Sequence, residues 1–155
     1  MEKIIIVGMD EENGIGKDED IPWHYSEDMK HFREETTGHT VLMGRTTFNS
    51  LPDDYRPLPD RETIVLTRSG LEEEYSSVAE ASSLEEAYDK AGSPLYIAGG
   101  SSVYRQTLED ADELVVTRIP GTHDCDSFFP EIDSSWIKER EKDLGELTVE
   151  YFKKK

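Results

Sequence analysis

Two features within residues 21–51 have the residue types and spacing for chemistry. The first is Asp28. Ser26 is a candidate N-cap, so Glu27 and Asp28 fall in a first helical turn, where acids favour the helix dipole. Asp28 also shares a helical face with Met29 and Phe32. An acid on an apolar face is costly unless a partner meets it. Asp28 is therefore either an ordinary first-turn acid or a carboxylate on the floor of an apolar pocket, open to a cationic or amide-like ligand group. The second feature is Gly44-Arg45-Thr46-Thr47, between the apolar run at 40–43 and a helix start carrying Phe48 and Leu51. A helix opening directly off a strand presents free N–H groups to an anion. Gly44 permits close approach, and Arg45 adds a planar, permanent cation. The alternative is a plain strand–turn–helix with a solvated arginine.

Two further strand ends resemble that turn. Thr67-Arg68 closes the run at 62–67, and Gly99-Gly100 lies between the run at 94–98 and a helix beginning Ser101-Ser102-Val103. The latter is not a GxGxxG fingerprint. In open parallel sheets, ligands bind beyond the carboxyl ends of the strands. Two helix starts and two arginines there suit a dinucleotide, and Arg45 with Arg68 favours a 2′-phosphate, hence NADP over NAD. No metal pattern is present. His24, His31, His39 and His123 are scattered, and His123-Asp124-Cys125-Asp126 reads as a polar loop. There is neither a nucleophile elbow nor a P-loop lysine. Acid–base work falls to Asp28, beside a redox cofactor.

The elements that must position these residues alternate. Residues 3–9 form a continuous apolar run, as in a strand buried on both faces. Residues 10–23 are acidic, glycine-bearing and aperiodic, and predict a long structureless loop able to act as a lid. A helix is expected over 26–36, a strand over 40–43, a helix over 45–51, and a stiff proline-rich loop over 52–60. A strand at 62–67 and a short one at 76–80 follow. Ser83 and Glu86 have capping-box spacing for a helix ending at Gly92. Strands at 94–98 and 113–119 flank a helix at 101–108, and residues 136–152 suggest an antiparallel hairpin around Leu144-Gly145. The expected fold is a single-domain α/β structure over 1–155, with a mostly parallel central sheet, an antiparallel C-terminal hairpin and about four helices.

Composition narrows the partners. The chain has 155 residues, 35 of them acidic and 17 basic, for a formal net charge of −18. Such a charge argues against nucleic acid and anionic membranes. It also makes the folded state repel itself at low salt, an effect screened when the Debye length falls to about 3 Å at molar salt. A salt-rich cytoplasm is the expected setting. Cys125 is the only cysteine, so no internal disulfide is expected and a reducing compartment fits. The short apolar run at the N-terminus reads as a strand rather than a signal peptide or anchor. Cytoplasmic localisation and a monomeric state are expected.

Read together, these pieces resemble a dihydrofolate reductase over essentially the whole chain. The resemblance rests on Gly16, Pro22-Trp23, Asp28, Phe32, the run from Val41 to Phe48, Pro57-Leu58-Pro59 with Arg61, Gly99-Gly100, Val103-Tyr104, Thr117, and Asp126 with Phe129-Pro130. It implies that NADPH gives hydride to C6 of dihydrofolate while N5 takes a proton. By the same resemblance, Asp28 hydrogen-bonds the pterin amino group and N3 with support from Thr117, and promotes protonation at N5 through a water positioned by Trp23. Ile6, Val7, Met29, Phe32, Leu51, Leu58 and Tyr104 are implied to line the substrate pocket, and Arg61 to take the glutamate α-carboxylate. The implied cofactor site comprises Gly8, Ile15, Gly16, Gly44, Arg45, Thr46, Thr47, Leu66, Thr67, Arg68, Gly99, Gly100, Ser101, Ser102, Val103 and Gln106, with a cis peptide at Gly99-Gly100.

The chain departs from the family pattern at Ala98, Asp60, the serine-rich turn after Gly100, and Cys125, none of which removes a catalytic group. Because both ligands are anionic, Arg45, Arg61 and Arg68 are expected to make the cleft locally positive. Three rivals are a pyrimidine reductase of the riboflavin pathway, lacking the Asp28 and Arg61 pair, a silent NADP- or folate-binding protein, and a purely structural acidic domain.

Overall fold

The computed structural model describes residues 1–18 and 20–155. Among the described residues ten strands and four α-helices follow one another: β1 (Lys3–Met9), β2 (Gly14–Gly16), α1 (Ser26–Thr36), β3 (Thr40–Gly44), α2 (Arg45–Asn49), β4 (Glu62–Leu66), β5 (Val78–Ala81), α3 (Leu84–Lys90), β6 (Leu95–Ile97), α4 (Ser101–Thr107), β7 (Glu113–Arg118), β8 (Ser127–Phe128), β9 (Trp136–Leu144) and β10 (Leu147–Lys154). Eight strands form one sheet in the order β5-β4-β3-β6-β1-β7-β10-β9. Pairing is parallel from β5 through β7 and antiparallel across β7, β10 and β9.

The continuous apolar run of β1 is explained by its central place between β6 and β7. Ile5 and Val7 join one core with Leu42, Ile97 and Val116, covered by Ala87 of α3 and by Val103 and Tyr104 of α4. Ile4 and Ile6 join the opposite core with Val41, Met43 and Val65, covered by Phe48 of α2 and Phe32 of α1. α2, α3 and α4 each bury apolar residues on a sheet face, whereas the fully buried residues of α1 are His31 and Thr36, with Phe32 half-buried; the helices divide between the two faces. The loops that carry ligand-binding groups therefore meet along the carboxyl edge of the parallel strands.

Several boundaries differ from expectation. Ser26 lies inside α1, whose N-cap is Tyr25 with no side-chain cap, and the Ser26 hydroxyl donates to Glu27 Oε1 at 2.8 Å instead. The helix expected over 45–51 ends at Asn49, α3 ends at Lys90, and β5 spans 78–81 rather than 76–80. A 3-10 turn at Asp53–Tyr55 interrupts the proline-rich loop. Ser83 does cap α3, accepting from the Glu86 amide at 3.1 Å.

The largest correction concerns the loop expected over 10–23, whose described residues are not structureless; residue 19 lies outside the described residues. Gly14–Gly16 pairs antiparallel with Ser127–Phe128 as a separate two-stranded sheet. The link has a polar centre. Asp10 is 1% exposed. Its Oδ1 accepts from the amides of Glu12 at 2.9 Å and Gly14 at 2.7 Å, and its Oδ2 from the His123 amide at 3.0 Å. Burial pushes the Asp10 carboxyl pKa up, but these donors outweigh it and leave the net shift downward. The loop at 123–126 is thus half of a junction, with the Asp126 amide donating to Gly16 O at 2.9 Å.

Candidate active site

Two clefts open at the carboxyl edge of the parallel strands and meet at Val7, Gly8, Ala98 and Tyr104. The larger, about 950 Å³, runs between the turn at Gly44–Thr47, the end of β4 at Leu66–Ser69 and the turn at Gly99–Ser102. Every residue expected at the cofactor site lines it, including Gly8, Ile15, Gly16, Val103 and Gln106. Its turns run close to neighbouring side chains at the glycines. A β-carbon on Gly44 would stand 3.2 Å from Val103 Cγ2, and one on Gly100 would stand 3.1 Å from Thr47 Oγ1. Gly99 has a φ of 109°, where a side chain would be strained. The Gly99-Gly100 peptide is cis. Arg45 donates to Ser69 Oγ at 2.6 Å across the cleft mouth.

The second cleft, about 680 Å³, lies between α1 and the sheet. Asp28, Met29 and Phe32 line it from the helix, Ile6 and Val7 from β1, Leu51, Leu58 and Arg61 from the connection to β4, and Thr117 from β7. Tyr104 closes the end shared with the first cleft, its hydroxyl donating to Ile6 O at 2.8 Å. Met29 is 47% exposed, but its side chain faces this cleft rather than the core, so the apolar stripe of α1 is partly a ligand wall.

Asp28 is the carboxylate on the pocket floor. Burial raises its pKa above the ordinary value, and the Thr117 side chain pulls it partly back. Its Oδ2 lies 3.4 Å from the position a β-carbon on Gly8 would take, and Trp23 Cζ2 lies 3.7 Å from the same point. Trp23 lines neither cleft, yet its indole stands beside Asp28. Its Nε1 is buried and has no hydrogen-bond partner among the described residues. At the far end, Arg61 is 6% exposed. Its Nε donates to Pro59 O at 2.9 Å and its Nη1 to Thr36 Oγ1 at 3.1 Å. A permanent cation is thus held in a fixed orientation at the end of an apolar slot, an arrangement suited to a carboxylate.

The dihydrofolate reductase family model matches residues 3–150. The chain belongs to this family. It is 39% identical over 132 residues to the dihydrofolate reductase of Bacillus subtilis, covering 84% of this chain and 76% of that protein. It is 37% identical over 144 residues to dihydrofolate reductase HdrB of Haloferax volcanii, covering 87% and 74% respectively. Among solved structures, a dihydrofolate reductase from Enterococcus faecalis complexed with NADP(H) and RAB-propyl superposes with a TM-score of 0.84. It is 36% identical, with 99% of this chain and 96% of that chain covered.

For this reductase-family chain, the structure separates the expected cationic trio. Arg45 and Arg68 line the larger cleft, whereas Arg61 lines the smaller. Among the described residues none of the three forms an ion pair. Wall residues that sequence reasoning missed include Arg33, Met43 and Tyr55 in the smaller cleft and Ser69 and Ser127 in the larger. Tyr55 sits on the 3-10 turn, which carries no periodic signal. Ser127 reaches the cleft only through the β2–β8 pairing.

Proposed function

We propose that this chain reduces 7,8-dihydrofolate to tetrahydrofolate with NADPH, with the residues of the two clefts in the following roles. The observation that carries the reading is the junction of the clefts. A phosphate-binding groove and an apolar slot with an acid on its floor and a fixed arginine at its end share Val7, Gly8, Ala98 and Tyr104. The larger cleft fits a dinucleotide because Gly44 and Gly100 keep its turns close against Val103 and Thr47, and because Arg45 and Arg68 form no ion pair among the described residues. NADPH, when bound, supplies the hydride that arrives at C6.

The protein's own part is to bind, orient and protonate. Asp28 accepts from the pterin amino group and N3–H, and Thr117 supports the carboxylate from β7. Burial holds the Asp28 carboxyl ready to share a proton nearer neutral pH than an exposed acid would. The unpaired Trp23 Nε1 positions a water that passes the proton to N5. Ile6, Val7, Met29, Phe32, Leu51, Leu58 and Tyr104 exclude bulk water from the pterin and the aminobenzoyl ring. Arg61 takes the glutamate carboxylate in a bidentate pair. Arg45, Thr46 and Thr47 receive the cofactor phosphates with Ser101 and Ser102, and Thr67 and Arg68 stand at the 2′-phosphate. Gly8, Ile15, Gly16, Leu66, Gly99, Val103 and Gln106 complete the groove.

Residues 1–155 act as one reductase domain, as a monomer in a salt-rich cytoplasm. The net charge of −18 supports the salt setting. No described helix is long and apolar enough to cross a membrane. The rival pyrimidine reductase reading has no use for Asp28 and Arg61 at opposite ends of one slot. The test is product analysis with NADPH carrying deuterium on the transferred position. Tetrahydrofolate with deuterium at C6 is expected, and absence of that label would contradict the assignment.

A further inference from the structure

The Asp28 helix carries a second titratable group that the mechanism above does not use. His31 is 2% exposed, and neither ring nitrogen has a hydrogen-bond partner. Among the described residues four buried side-chain polar atoms lack partners, and two of them belong to this one imidazole. His31 is among the residues that line the same cavity as Asp28 and Thr117. A buried imidazole without partners is expensive, and the usual remedy is ordered water or a ligand.

Its neighbours explain which charge state it holds. Asp28, His31 and Glu35 stand at i, i+3 and i+7, along one face of α1. Glu35 is already occupied, accepting from Tyr96 of β6 at 3.2 Å and from Tyr151 of β10 at 2.9 Å. Lys142 approaches from β9, and Glu34 from α1 itself. Burial pushes the imidazole pKa down, Glu35 and Glu34 pull it up, and Lys142 adds to the downward push; the net shift is downward. His31 is therefore neutral near neutral pH, with one donor and one acceptor to satisfy.

We infer that His31 is a positioning residue for the reduction, joined through cavity water to Asp28. This rests on the pterin reading of the cavity. In that arrangement the imidazole N–H donates to a water that in turn donates toward the Asp28 carboxylate. A hydrogen bond to the charged form favours it, so His31 offsets part of the desolvation that raises the Asp28 pKa. The group sets the pH range over which Asp28 hands on a proton, and it touches neither the hydride donor nor the reacting carbon.

The test is the pH dependence of the hydride-transfer rate in His31→Gln and His31→Leu beside wild type. The rate falls as pH rises and the proton is lost. In His31→Leu the carboxylate loses its water-mediated donor, and that fall moves to higher pH by about half a unit. The glutamine amide is both donor and acceptor and restores the wild-type curve. A leucine variant whose curve superposes on wild type, or a glutamine variant displaced as far as leucine, overturns the inference. Should the leucine variant not fold, the ring nitrogen resonances of wild-type His31 decide. They shift when dihydrofolate and NADP are added together if the water network is real, and their staying fixed overturns it. Failure of wild type to reduce dihydrofolate would instead remove the underlying reading, which distinguishes the two failures.

Discussion

Arg61 reaches across from the loop before β4 to α1, its Nη1 donating to Thr36 Oγ1 at 3.1 Å in a buried contact. Thr36 in turn donates to Phe32 O at 2.7 Å, one turn back along α1. The arginine assigned to the substrate carboxylate is thus braced by the helix that carries Asp28, and both ends of the slot are held by one element. Thr36→Val keeps the shape and removes the brace. Released from the helix, the guanidinium loses its fixed orientation; a loss of about 1–2 kcal/mol in carboxylate binding raises KM for dihydrofolate about five- to thirtyfold with the NADPH KM unchanged. Steady-state kinetics with each ligand varied would check this, and equal effects on both would argue against it.

Arg61→Lys removes the planar fork and keeps the charge. KM for dihydrofolate should rise about tenfold or more, while a pterin lacking the glutamate tail is reduced as before. A loss shared equally by the tailless pterin would place Arg61 elsewhere in the mechanism.

Asp28 carries a stability cost that follows from its pKa. Burial raises the folded-state pKa above the ordinary 3.8. At low pH the carboxyl is protonated in both states and costs nothing. As pH rises through 3.8 the unfolded chain ionises first and gains stability relative to the fold, and the penalty is complete above the raised folded value. Asp28→Asn should therefore melt at a higher temperature than wild type near neutral pH, with the difference vanishing below that window. Thermal unfolding of both proteins across pH tests this, and a lower melting temperature for the variant at neutral pH would contradict it.

The Asp10 junction has the opposite sign. Its net pKa is lowered, because three backbone donors outweigh burial. It contributes stability above the unfolded pKa and loses it as pH falls through the folded value. Asp10→Ala should lower stability by about 2–3 kcal/mol and loosen the β2–β8 pairing. Denaturant unfolding, with amide exchange at Gly14 and Gly16, would report both effects.

Much of the site was legible because its residues are close in sequence to strand ends. Continuous apolar runs located β1, β3 and β4, and the groups following each strand converge because parallel strands share a carboxyl edge. Other features depend on pairs distant in the chain. The three-residue β2 exists only because residues 127–128 lie beside it, and no local periodicity could announce it. His31 falls in the same class. Its position on α1 was visible, but the groups near it from the far end of the chain, Lys142 of β9 and the Tyr151 of β10 that binds Glu35, were not. Ser26 is the reverse case, a good capping residue that stands one position inside the helix with its hydroxyl donating to Glu27.

The net charge of −18 yields a simple expectation. Self-repulsion should be screened by salt, so the melting temperature should climb as KCl is raised toward molar concentration. A melting temperature that falls on adding KCl would end the salt-adaptation reading.

The most direct test of the central claim is the loss of NADPH absorbance on adding dihydrofolate, at low and at molar KCl, for wild type beside Asp28→Asn. Turnover by wild type is predicted, with a loss on the order of 10²–10⁴-fold in the variant, as expected for removal of the acid–base group. No turnover by wild type at any salt, or equal rates in the two proteins, would contradict it.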